Sequence, residues 1–441
     1  MRYLFITLLV ALIAKDILPL GDRYVLRGVT EGMALAVGAG WLLTHPFQSI
    51  ARRYLLIFVY LGVLVVTSFF SQRPFFVIFQ VMSLASVALF FIAYLESSRL
   101  APDTFQWNLF TVGCAFLLVC LGSLVLLVAK PQLVFEITPE GNRFRGLFNE
   151  PAMMGAVSGL LLGLSAFGRF SWLIRVGGAL AAIPCLYLTG SRTSWGATAA
   201  GLLITGLIYI RRKHAWVTAL AFAGIIGSLS LVVLDIHLGA ETQSKVIRSG
   251  SIGTLSGRTV LWDLALEKYQ NSPLFGFGFT TGSDALAADM GDTLSTAFGV
   301  NDRSQQKAFS LHSGYIQALL DSGAIGACLY LSILGLSLWR LLKHDGERRH
   351  GAEMYCLVFF SISNLTDTII FGAAVFYEVF YWYLSAVALS TVAVTQEFSL
   401  QSSIPGIDNR NEPSSHRQEV SQGTTSEPIP MSSRQYPLLQ E

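Results

Sequence analysis

Charge is what this sequence has least of. Asp, Glu, Lys and Arg make up 13% of its 441 residues, about half the share found in a soluble domain. That shortage excludes an ordinary water-facing globule for most of the chain. The net charge is only +2, too small for the basic field that draws nucleic acid, so no nucleic-acid partner is expected. Cysteine is also scarce. Cys114, Cys120, Cys185, Cys328 and Cys356 all fall inside apolar runs and read as small buried hydrophobes, not as a disulfide framework. The acidic residues are scattered without metal-ligand spacing, so neither a metal nor a cofactor is expected. There is no internal repeat.

Long apolar runs are present instead, separated by short polar connectors, which is the signature of many membrane spans. The runs lie near 3–20, 29–45, 53–71, 75–95, 108–129, 151–168, 171–189, 194–210, 215–234, 311–341, 353–371 and 373–395. Each is long enough to cross about 30 Å of hydrocarbon as a helix. The expectation is an all-α polytopic membrane protein of about twelve helices. The first run follows Met1-Arg2 and gives way to Lys15-Asp16 without a small-x-small cleavage site, so it is read as an uncleaved span. The run at 311–341 is overlong, and its first turns are expected to stand proud of the membrane.

Lys and Arg in the short connectors set the orientation. With a cytoplasmic N-terminus, thirteen fall inside and seven outside. The three expected regions are N-terminal helices over 1–129, a membrane domain over 130–397 whose large outer loop spans 235–310, and a disordered cytoplasmic tail over 398–441. The tail is rich in Ser, Pro, Gln and Glu and holds too little apolar surface to fold. Gly155, Gly159 and Gly163 repeat every fourth residue, a spacing that lets helices approach closely in lipid and reads as packing. Pro184 lies within a run and is expected to kink it or mark a cavity.

Polar residues collect on the outer side. A first loop ends Asn142-Arg143-Phe144-Arg145-Gly146-Leu147-Phe148-Asn149-Glu150-Pro151. A tight turn reads Thr189-Gly190-Ser191-Arg192-Thr193-Ser194. The large loop holds Ser256-Gly257-Arg258-Thr259-Val260-Leu261-Trp262, then Asn271-Ser272-Pro273-Leu274-Phe275-Gly276-Phe277-Gly278. The tenth span opens His312-Ser313-Gly314-Tyr315 and continues through Asp321-Ser322-Gly323-Ala324-Ile325-Gly326. In order and common side, these stretches resemble the O-antigen ligase and polysaccharide polymerase family over roughly residues 140–370. The resemblance implies a polyprenyl-diphosphate-linked glycan donor, a metal-independent transfer and a periplasmic site of arginines and a histidine. Asn364-Leu365-Thr366-Asp367 resembles the family's eleventh-span motif, with Asp where Glu is expected.

The residues themselves support that chemistry. A polyprenyl diphosphate keeps its chain in lipid and its phosphates at the interface, so fixed cations are needed at that depth. Arg suits the task because its planar fork meets phosphate oxygens in bidentate geometry and stays charged. Arg192 and Arg258 are the leading candidates. Ser256 caps the helix that Arg258 begins, and the N–H groups there favour an anion. Arg143 and Arg145 share a motif, and the sequence leaves open which faces the donor. His312 is the candidate catalytic group, because imidazole titrates near neutrality and suits removal of a hydroxyl proton. Glu150, Trp262, Tyr315, Asp367 and Glu378 are expected to support these groups. The competing reading for Asp367 and Glu378 is a salt bridge that only holds helices together.

The expected function is a membrane glycosyltransferase of cell-surface polysaccharide synthesis in the bacterial cytoplasmic membrane. It would pass a lipid-linked glycan to the hydroxyl of a glycan or lipid-core acceptor. A polymerase of exopolysaccharide or O-antigen is favoured over a ligase acting on a lipid core or protein. A transporter of lipid-linked glycan is the rival class, but it should carry its polar site near the bilayer midplane and show related halves.

Overall fold

A computed structural model describes residues 2–17, 23–45, 47–98, 104–138, 141–210, 258–288, 311–344, 350–368 and 375–402. The chain divides into two units, Met1–Thr395 and Gln396–Glu441. Within the second, only 396–402 are described, as helix. The ninth expected span, Ser256, and much of the large loop lie outside the described residues.

The described residues are almost wholly helical. In chain order the helices are α1 (Arg2–Asp16), α2 (Arg23–Thr44), α3 (Phe47–Thr67), α4 (Pro74–Ser98), α5 (Thr104–Ala129) and the one-turn α6 (Pro131–Val134). A two-stranded antiparallel hairpin follows, β1 (Phe135–Thr138) and β2 (Gly141–Phe144). Then come α7 (Pro151–Phe167), α8 (Trp172–Thr189), α9 (Arg192–Ile210), α10 (Arg258–Tyr269), α11 (Gly314–His344), α12 (Gly351–Thr366) and α13 (Phe376–Ser402). Among the described residues, five helices are long and apolar enough to cross a membrane: those over Ile50–Phe70, Pro74–Ser97, Gln106–Ala129, Trp172–Thr189 and Gly314–Lys343. Leu118, Val125 and Leu180 on α5 and α8 are exposed, as lipid-facing side chains are.

Helix α7 is central and packs on α5, α8, α9 and α12. Its glycine row makes this possible. Gly155 lies against Ser194, Gly159 against Thr198 and Phe359, and Gly163 against the Tyr355 ring. The Tyr355 hydroxyl donates to the Gly159 carbonyl at 2.7 Å. In lipid, where burying apolar area drives nothing, such close contact and buried hydrogen bonds hold helices together. A second tie runs through Asn108, which accepts from Tyr94 at 2.7 Å and donates to Tyr383 at 2.8 Å, joining α4, α5 and α13. Arg27 on α2 reaches Glu31 at 2.7 Å, and Gln80 and Ser83 on α4 at 2.7 and 3.1 Å. Helix α8 runs through Pro184 as one helix.

The overlong tenth span is interrupted. Gly323 takes φ 65° and ψ −171° inside α11, a left-handed φ that only glycine adopts without penalty. The segment after it, Ala324–His344, measures about 30 Å as a helix and spans a bilayer by itself. The segment before it, Gly314–Ser322, lies against the loop residues 273–282.

The glycine row gives a direct test of packing. Gly163→Ala would put a methyl group inside the Tyr355 ring, an overpacking that costs about 1–3 kcal/mol. Gly177→Ala meets nothing within 4 Å and should be neutral or stabilising by up to about 1 kcal/mol. Thermal unfolding of the two purified variants in detergent should separate them in that order.

Candidate functional site

One end of the bundle collects most of the sequence candidates. The C-terminal ends of α1 and α12 meet the N-terminal ends of α7, α9, α11 and α13 there, together with the hairpin and the 145–150 turn. Several long-range contacts fix the arrangement. Thr193, beside Arg192, shares a hydroxyl contact of 3.0 Å with Thr366, beside Asp367. The Gly314 N–H donates to the Asp367 carbonyl at 3.2 Å. Asp16 accepts from the Phe376 N–H at 3.3 Å, and Ile17 bridges to Phe148. Phe148 stacks on Phe376 with centroids 5.5 Å apart.

His312 lies at this end, two residues ahead of α11. Its backbone is left-handed, φ 49°, uncommon for a residue with a side chain. Such a conformation persists only where the surroundings over-determine it, and here they do. On one side the Trp262 indole N–H donates to the Leu311 carbonyl at 2.8 Å. On the other the Gly314 N–H is held by Asp367. The imidazole Nδ1 stands 3.9 Å from Asp367 Oδ1, with the His312 side chain 45% exposed. That separation is an electrostatic contact, too long for a hydrogen bond. The exposed imidazole is thus set beside a largely buried carboxylate. Tyr315 braces the same helix start, donating to the Ser361 carbonyl at 2.8 Å.

The arginines differ in their engagement. Arg192 opens α9, is exposed, and has no hydrogen-bond or ion-pair partner among the described residues. Arg258 opens α10; its side chain is outside the described residues. Arg143 lies on β2 directly across from Glu136. Arg145 braces the hairpin, donating from its guanidinium to the Leu133 carbonyl at 3.3 Å, with its backbone N–H on Val134 at 2.8 Å. Its buried Nε has no partner. Glu378 accepts from the Val375 N–H at 2.9 Å and so caps the start of α13.

Glu150 immediately precedes α7. Although Glu150 is exposed to solvent, partial desolvation by the surrounding protein pushes its carboxyl above the usual carboxylate range. Asp367, Glu136 and Asp16 push the same way, and His312 opposes them. Those interactions place Glu150 among the acids and the histidine of this end. Two residues there escaped the sequence reading, Lys15 and Asp16. Both are buried and 3.6 Å apart. Their only signal was a charged pair ending an apolar run.

The large-loop motif has a different role. Residues 271–282 pack between the turn after α3 and α11. Phe275 stacks on Phe70 with centroids 4.7 Å apart, Ser71 meets Thr281 at 3.0 Å, and Arg73 pairs with Asp284 at 2.8 Å. Gly276 and Gly278 have φ 68° and 103°. A side chain at Gly276 would strike the backbone of Leu320 and Asp321, so this motif needs glycine for close approach.

Residues 177–331 match the sequence model of the O-antigen ligase family, a narrower stretch than the motifs cover. It takes in Arg192, Arg258, Trp262, His312 and Tyr315, and leaves out Arg143, Arg145, Glu150, Asp367 and Glu378. The chain is also 30% identical over 215 residues to the exopolysaccharide production protein ExoQ of Rhizobium meliloti (strain 1021). That alignment covers 44% of this chain and 47% of the relative, so the match spans about half the length of that relative.

The raised carboxyl of Glu150 gives a pH prediction with a definite sign. The folded protein holds this proton more tightly than the unfolded chain. The stabilisation is therefore full below the unfolded value and is lost as pH rises through the folded one. Relative to Glu150→Gln, the parent protein should gain thermal stability as pH falls from about 7 to about 4. Melting curves that shift in parallel for the two proteins would contradict a raised carboxyl.

Proposed function

We propose that this chain, of the O-antigen ligase type over residues 177–331, is a glycosyltransferase of the bacterial cytoplasmic membrane with its site on the periplasmic face. Its donor is a glycan on polyprenyl diphosphate, and its acceptor is a glycan or lipid-core hydroxyl. The observation that carries the reading is the meeting of His312, Asp367 and the Arg192 turn at one bundle end. A transporter would place such groups near the midplane.

In the transfer, the acceptor hydroxyl attacks the sugar carbon bonded to diphosphate. The carbon–oxygen bond to phosphate breaks, the new glycosidic bond forms, and polyprenyl diphosphate leaves. His312 takes the hydroxyl proton, and Asp367 orients the ring and stabilises the imidazolium. Arg192 and Arg258 hold the diphosphate, with Arg143 and Arg145 behind them and Glu150 and Glu378 setting their surroundings. Fixed arginines supply the positive charge that the departing diphosphate needs, so the transfer is read as metal-independent. Trp262 and Tyr315 hold the backbone on either side of His312.

The printed role of the relative, exopolysaccharide production, favours extension of a polysaccharide. We therefore read the protein as an exopolysaccharide or O-antigen polymerase before a ligase. Both cleave the same carrier bond, so the site residues alone do not divide them.

Variants test the roles. Arg258→Ala and Arg192→Lys should each lower transfer by on the order of 10²–10³ at normal protein level, the second because the bidentate fork is lost. His312→Ala should lose about 10²–10⁴ in transfer while donor binding survives. Near-normal product from Arg258→Ala would remove it from the site. Altered donor affinity with intact transfer in His312→Ala would move that residue to the phosphate site.

A deletion strain tests the reaction class. Loss of a polymerase should strand single repeat units on the lipid carrier, readable by mass spectrometry of the extracted lipid. Full-length polymer stranded on the carrier would make the protein a ligase.

A further inference from the structure

At Gly323 the helix α11 exchanges its own hydrogen bonds for bonds to the loop. In an unbroken helix the Ala324 N–H bonds the Leu320 carbonyl, and the Ile325 N–H bonds that of Asp321. Here the Ala324 N–H goes to the Pro273 carbonyl at 2.8 Å and the Ile325 N–H to that of Leu274 at 3.3 Å. The two released carbonyls accept from the loop in turn, Leu320 from the Phe277 N–H and Asp321 from the Gly278 N–H, each at 2.9 Å. A straight helix would satisfy the same four groups. Outside the hydrocarbon, water can take up the four loop groups that undocking would free, so the backbone bonds choose only weakly between a broken, docked form and a straight, undocked one.

The side chain of Asp321 does choose. It is fully buried. Its carboxylate accepts from the Thr280 N–H at 2.9 Å, the Gly282 N–H at 2.6 Å and the Gln317 amide at 2.8 Å. Two of these three donors belong to the loop. Thr280 is itself held at φ 62°, a costly conformation for a β-branched residue. Burial pushes the Asp321 carboxyl up to about 7, and the hydrogen bonds from Gln317, Gly282 and Thr280 oppose that shift. If the loop left, two of those bonds would go, and bonds to the ionised form are the strong ones. The segment Gly314–Ser322, with His312 at its head, is thus locked to the loop at one end and hinged at Gly323.

We infer that Asp321 is a positioning residue: its carboxylate selects the broken form of α11 and thereby holds His312 against Asp367. The inference rests on the role of His312 proposed above. Straightening α11 about Gly323 would swing His312 on a lever of about 15 Å. A displacement of only about 1 Å at a reacting group lowers rates on the order of 10²-fold.

The test uses the full chain in lipid nanodiscs, with lipid-linked repeat units extracted from the deletion strain as donor and acceptor. Asp321→Asn keeps the size but points an amide N–H₂ at a loop N–H. Hydrogen exchange at the amides of 277–282 should speed up by about tenfold or more, the effect of losing one charge-assisted bond. The kcat per folded molecule should fall on the order of 10²-fold, with donor KM within about twofold, since the arginines that hold the diphosphate are untouched. A merely structural role would lower the yield of folded protein and leave kcat unmoved. Should Asp321→Asn not accumulate, Gln317→Met removes one donor and should move both readouts the same way by less. Unchanged exchange overturns the proposal, and so does faster exchange with unchanged kcat. Full transfer by His312→Ala overturns the reading beneath it. That failure is distinguishable, because faster exchange in Asp321→Asn would persist without any link to transfer.

Discussion

Backbone N–H and C=O groups at the edge of the hydrocarbon must be paired, and the break in α11 is possible only because another segment pairs them. Residues 273–278 supply all four missing partners at Gly323. Much of the geometry at that bundle end follows. Gly276 is small because the backbone of Leu320 and Asp321 lies where a side chain would stand. The segment ahead of the break starts at Gly314, and its start is fixed by Asp367 and by Trp262 through Leu311. His312, between those two holds, is kept in a backbone conformation it would not adopt alone.

The end that carries His312 is also shared between segments far apart in sequence. The family match begins at residue 177, yet α1 is tied to α13 by Asp16 and to the 145–150 turn by Ile17. The turn after α3 holds the loop from its other side through Thr67, Ser71 and Arg73. An end assembled from both halves of the chain draws on residues outside the conspicuous motifs. The charges there are mixed. Asp16, Glu136 and Asp367 lie within electrostatic reach of Glu150, and the hairpin and turns bring Arg143, Arg145 and Arg192 to the same end.

The helices were legible because apolar runs about 20 residues long leave little alternative in a membrane. A described helix stands at each of eleven of the twelve expected spans, and the span at 215–234 lies outside the described residues. The hairpin 135–144 was not read, since four-residue strands carry too few alternations to register. His312 and Asp367 were legible as polar residues at the ends of apolar runs, and the structure brings them together. Asp321 was quoted within a motif but given no role. Its donors Thr280 and Gly282 lie about forty residues away, and no local pattern records a contact of that range. The same holds for Arg145, whose brace on the Leu133 carbonyl depends on a hairpin the sequence did not announce. Gly323 was quoted only within the stretch that opens the tenth span, although it is where an overlong run of apolar residues becomes a full span and a separate shorter segment.

The division of labour between the interior and the end argues for transfer over transport. Interior polar groups such as Tyr94, Asn108 and Tyr383, or Tyr330 and Asn364, bond one another across helices. They act as interhelical ties and fix the bundle as a frame. A transporter needs the opposite, a weakly committed interior whose halves rock about a central site. Group transfer needs a rigid frame with charge fixed at one edge, because preorganised dipoles and ions stabilise a transition state without reorganising as it forms. The strain stored at His312 and Thr280 lies at that edge, where a rigid frame can maintain it.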